Sequence, residues 1–107
     1  MDIRFHEQLY SEGISHRKLA SLKKKIGKKS PKLNVFLVTL PLGREGLLEV
    51  YWYPELLQTY YRNMDVELLV IGVANSRDEA FRLIEQIVLD VGVEDGKLPV
   101  KDYFRVS

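Results

Sequence analysis

Residues 68–74, LLVIGVA, are seven consecutive apolar positions bounded by Glu67 before and by Asn75-Ser76 after. The run is far shorter than the about 20 residues that a membrane span needs. It reads as a β-strand, and the strand DVELLVIGVA begins at Asp65. The clearest helix start in the chain comes directly after it. Ser76 and Glu79 stand at capping-box spacing. Ala80, Leu83, Ile84, Ile87, Val88 and Val91 then recur with helical periodicity up to Gly92, a residue suited to ending a helix. A strand, a tight turn and an amphipathic helix therefore occupy residues 65–92.

The rest of the chain supplies partners for that unit. Residues 3–10 alternate Ile3 and Phe5 with Arg4 and His6, which predicts a short strand ending at the turn Glu12-Gly13. Ser15 is a predicted N-cap for a helix over 15–29 with the apolar stripe Leu19, Leu22, Ile26. Ser30-Pro31 stop it. LNVFLVTL, 33–40, is apolar on both faces and predicts an interior strand. Residues 41–46 predict a turn, and 47–53, LLEVYWY, a second strand paired to the first as a hairpin. Pro54 ends this strand and opens a helix to about Arg62. In the tail DYFRVS, Tyr103 and Phe104 are expected to cover the edge of the core.

The order is β-α-β-β-α-β-α, which predicts an α+β two-layer sandwich with the helices on one face of the sheet. It matches the ferredoxin-like pattern with an extra C-terminal helix, or a variant strand order. The ferredoxin-like order would leave the apolar strand 65–74 at a sheet edge, where strands are usually short or charged. The variant places 33–40 and 66–74 together at the centre. Val35, Leu37, Leu69, Val70, Ile71, Ile84, Ile87 and Val88 are the expected core.

At 107 residues the chain is expected to be a single domain, 1–107. Its net charge of +1 conceals a division. Residues 1–32 hold nine Lys and Arg against three Asp and Glu, whereas 33–107 hold seven against twelve. A basic N-terminal segment thus precedes an acidic body. There is no cysteine, which excludes disulfides, thiolate metal sites and a cysteine nucleophile. The N-terminal residues lack the pattern of a secretory signal. A cytoplasmic protein is expected.

Taken together, the basic helix, VFLVTL, LLEVYWYPELLQTYY, VIGVANSRDEAFRLIEQIV and the final DYF resemble a set of short uncharacterised proteins of anaerobic Gram-positive bacteria. The resemblance covers nearly the whole chain, with VIGVANSRDEA its most specific piece. It implies a bacterial cytoplasmic protein and carries no activity, ligand or catalytic residue.

Two clusters could carry a function. Arg17, Lys18, Lys23, Lys24, Lys25, Lys28 and Lys29 surround the helix 15–29 without an acidic residue among them. They suit contact with nucleic-acid phosphates or an anionic membrane surface. The alternative is a solvated face paired with the acidic body. Tyr51, Trp52, Tyr53, Tyr60 and Tyr61 lie within eleven residues. They suit a partner or dimer surface, where Tyr and Trp are enriched, or else core packing. The turn Gly72–Ser76 opens a helix and could hold an anion, but it carries neither a P-loop nor a dinucleotide fingerprint. His6 and His16 lack metal-ligand spacing, and no GxSxG elbow is present. No cofactor or metal is expected. The residues favour a self-associating interaction module without catalytic activity, with nucleic-acid binding through residues 17–32 as the alternative.

Overall fold

A computed structural model describes residues 1–41 and 48–105. Its elements are β1 (Asp2–Ser11), α1 (His16–Gly27), β2 (Phe36–Thr39), β3 (Glu49–Trp52), α2 (Tyr53–Leu56), α3 (Thr59–Arg62), β4 (Glu67–Ala74), α4 (Arg77–Val91) and α5 (Val100–Tyr103). The predicted turn 41–46 lies outside the described residues beyond Pro41, as do Leu47 and the last two residues of the tail. The predicted helix 54–62 is two short helices, α2 and α3. Backbone bonds from Leu57 N–H to Pro54 C=O and from Gln58 N–H to Glu55 C=O close the first early. Gln58 is extended, with φ −68° and ψ 151°.

The described strands form one mixed sheet in the order β1-β4-β2-β3. β4 is parallel to β1 and antiparallel to β2, and β2 is antiparallel to β3. The most apolar strand is therefore interior, beside residues 33–40. The ferredoxin-like order, with that strand at an edge, is replaced by the variant order. An interior strand satisfies its backbone groups on both sides and needs no charged residues to protect it.

The expectation of helices on one face is also corrected. Leu37, Leu68, Val70 and Val73 pack with Leu22 and Ile26 of α1 and with Tyr53 and Leu56 of α2. Val38, Ile71 and Ala74 pack with Ala80, Leu83 and Ile87 of α4, and with Val100 and Phe104 at the chain's end. The sheet is thus covered on both sides, in three layers. The expected core residues divide accordingly: Val35, Leu37 and Val70 lie on one side, Leu69, Ile71, Ile84 and Ile87 on the other, and Val88 is half-buried. Successive side chains of a strand point to opposite faces. Val70 and Ile71 are both apolar, so helices on one face alone would leave one of them in water. Each such burial stabilises by roughly 1.5–3 kcal/mol.

Two irregularities shape the sheet. Val38 pairs with Gly72 but Thr39 pairs with Val70, so Ile71 is the extra residue of a β-bulge. A Cβ on Gly72 would stand 3.2 Å from the Cβ of Val38 and 3.4 Å from Leu83, a fit that only glycine makes comfortably. On the other side Phe5 pairs with Val70 and Tyr10 with Gly72, so residues 6–9 of β1 bow out of the ladder. In this bow the Gln8 N–H donates to His6 Nδ1 at 2.9 Å, and His6 Nε2 lies 2.8 Å from the Phe104 carbonyl. An Nδ1 that accepts leaves Nε2 as the donor. The imidazole ties the C-terminal segment to β1.

Candidate polyanion-binding face

α1 starts where Ser15 Oγ accepts from the Lys18 N–H at 3.2 Å. Leu22 and Ile26 fix the helix to the sheet. The buried Tyr53 hydroxyl donates to the Ile26 carbonyl at 3.2 Å, so α2 holds the helix end with one directed bond. At about 3.6 residues per turn, Arg17, Lys24 and Lys28 fall opposite Leu22 and Ile26, with Lys18, Lys23 and Lys25 on the flanks. Lys29 lies just past the helix. All seven cations are exposed.

None of the seven has an ion pair among the described residues. The described salt bridges are Arg4–Glu67 and Arg82–Glu12, at 3.6 and 3.7 Å. Lys23 Nζ stands 5.6 Å from the centre of the Phe5 ring, a cation–π contact that orients one lysine without neutralising it. Lys24 and Lys25 complement the negative end of the helix dipole, whereas Arg17 and Lys18 oppose its positive end. Lys24 and Lys28, four apart, repel. The face is a concentrated, unbalanced positive charge on a rigid support.

The aromatic cluster is not one surface. Tyr53 is fully buried, which corrects its placement at an interface: it is a core residue, because the chain turns into α2 there. Tyr51 donates to Glu49, and its ring meets Tyr61 edge-on at 6.0 Å. Tyr61 donates to Glu55 at 2.9 Å and meets Tyr60 at 5.1 Å. Trp52 points the other way and donates to Asn34 Oδ1 at 2.8 Å. Within the cluster only Tyr60, 72% exposed, and Trp52, 42%, offer much surface. Burial and the bond to Glu49 push the Tyr51 hydroxyl well above its usual pKa. The bond to Glu55 raises that of Tyr61.

The turn before α4 already holds its own anion. Glu79 Oε2 accepts from the Asn75 N–H at 2.9 Å, and Ser76 Oγ accepts from the Glu79 N–H at 3.2 Å. The capping carboxylate takes the place a ligand would use. His16 is exposed at the start of α1. No cluster of three or more potential metal ligands occurs among the described residues. No described helix is long and apolar enough to cross a membrane.

A cleft of about 790 Å³ was not foreseen from the residues. Arg4, His6, Glu67, Lys101, Phe104 and Arg105 are among those lining it. It lies where β1 bows out and the C-terminal segment packs against β1 through Phe104, two features without a local signature. Its wall mixes both signs of charge. Scans of protein-family models, of curated proteins and of solved structures found no match to this chain.

Proposed function

We propose that the protein is a non-catalytic binding module whose ligand is a polyanion, with RNA or DNA phosphates as the chemical class, held by α1. One observation carries this reading: seven cations project from an anchored helix and meet no acidic group among the described residues. Had the acidic body been their partner, carboxylates would face the helix. Arg17, Lys24 and Lys28 are the central contacts, and the flanking lysines extend the footprint. A bacterial cytoplasmic setting, as the resemblance implies, would supply such ligands.

Binding to duplex DNA should weaken with salt at about 0.9 log unit per log unit for each phosphate neutralised. Three central cations and four flanking ones then set a slope of about −3 to −6. Replacing Lys23, Lys24, Lys25, Lys28 and Lys29 with Gln, which keeps helix propensity, should abolish binding and leave the circular dichroism spectrum unchanged. Absence of RNA and DNA binding by the intact protein at about 50 mM salt, where the electrostatic attraction is strong, would end this reading.

A further inference from the structure

The most basic and the most acidic helix of this chain lie on opposite sides of its sheet. α1 packs on one face through Leu22 and Ile26, α4 on the other through Leu83 and Ile87. Residues 77–97 hold six Asp and Glu against three Lys and Arg. Asp78, Glu85, Glu94 and Asp95 are exposed and have no ion pair among the described residues, and Arg82 is already turned to Glu12. By helix periodicity Asp78, Glu85 and Leu89 point away from the buried side of α4. Leu89 is 77% exposed and Val93 64%, apolar side chains that the fold leaves in water beside unpaired acids.

With the sheet between them, the two charged helices of one chain cannot meet. Those of two copies can. We propose that the outward face of α4 is a docking surface for α1 of a second copy. Arg17, Lys24 and Lys28 would face Asp78, Glu85, Glu94 and Asp95, and Leu89 would pack on the apolar stems of the lysines. The helices match in length, about 18 and 22 Å at 1.5 Å per residue. Because donor and acceptor surfaces are on opposite faces, each copy that docks leaves one surface of either kind free. Such a head-to-tail contact extends into a chain or ring instead of closing as a two-fold pair. A single helix-on-helix contact is small, so the association is weak. It shares α1 with the polyanion reading but does not depend on it; if both hold, a polyanion dissolves the assembly.

Sedimentation velocity of the intact protein without nucleic acid tests this. From about 10 to 300 μM at about 50 mM salt, the average mass should at least double and continue past the dimer. At about 500 mM salt it should return to the monomer. A variant with Arg17, Lys24 and Lys28 changed to Gln, and another with Glu85→Gln, Leu89→Ser, Glu94→Gln and Asp95→Asn, should each stay monomeric alone. All these positions are exposed, and circular dichroism checks that both variants fold. Mixed in equal amounts, they retain one intact contact between them and should form a dimer that grows no further. A wild type that stays monomeric, a mass unaffected by salt, or an α4 variant that assembles as before overturns the proposal. The α4 variant keeps every cation of α1, so loss of its self-association with unchanged polyanion binding separates the two ideas.

Discussion

Ile87 is fully buried between α4 and the sheet. Ile87→Ala removes that contact and leaves a cavity, and chemical denaturation should show a loss of about 2–5 kcal/mol. Thr39 tests the opposite sign. Its side chain is fully buried, and its Oγ1 has no hydrogen-bond partner among the described residues. Val has nearly the same shape and no hydroxyl to desolvate, so Thr39→Val should raise stability by about 1 kcal/mol. Tyr10 sets a pH dependence. Burial first, and then its 2.7 Å bond to Asp90, push its hydroxyl far above the ordinary value of 10.0. The folded state therefore keeps a proton that the unfolded chain releases. This contribution is complete below about pH 10 and is lost as pH rises above it. Tyr10→Phe should give a shallower decline of stability over the alkaline range in denaturation at a series of pH values.

At the scale of the element, α1 sets a stable anchor against an unfavourable surface. Leu22 and Ile26 are buried and Tyr53 holds the end, while lysines four residues apart repel along the outside. Changing the five lysines to Gln should leave the melting temperature nearly unchanged at low salt, because the repulsion removed offsets the lost dipole complement of Lys24 and Lys25 and the lost contact of Lys23 with Phe5. A marked fall would mean that the lysines hold the helix to the domain. The stripe and cap of α1 were legible in the residues, as were the cap and buried face of α4. The break between α2 and α3 was not. A single helix was expected from Pro54 to Arg62, and no glycine or proline interrupts it. In the structure the break accompanies the stacking of Tyr61 on Tyr51 and its bond to Glu55, contacts that arise only when the strand and the helices are brought together.

For the whole molecule, the interior position of β4 predicts where the fold is most resistant to opening. β4 is paired on both sides and covered on both faces. β3 and β1 are edges, and β1 bows out over residues 6–9. Native-state hydrogen exchange should find the slowest amides at Val70, Gly72 and Val73, which pair on both sides, with β3 and the N-terminal half of β1 exchanging faster. Equal protection across all four strands would contradict the covered, central placement of β4.

The candidate site was half legible. The basic helix is written in consecutive residues, so its cations and its apolar stripe could both be read directly. Whether those cations meet the acidic body depends on which side of the sheet each helix covers, and no local pattern contains that. The aromatic cluster shows the same limit: five side chains close in sequence separate into a buried tyrosine, an edge-on stack and a tryptophan on the opposite face. The residues by themselves determined the four strands, the two long helices α1 and α4 and where these begin, and how charge divides along the chain, because periodicity, capping and composition act within a few residues. The tertiary structure decided the strand order, the helices on both faces and the placement of the basic α1 and the acidic α4 on opposite sides of the sheet. Those depend on long-range pairing, in which an apolar strand is placed by how much of its two faces can be covered.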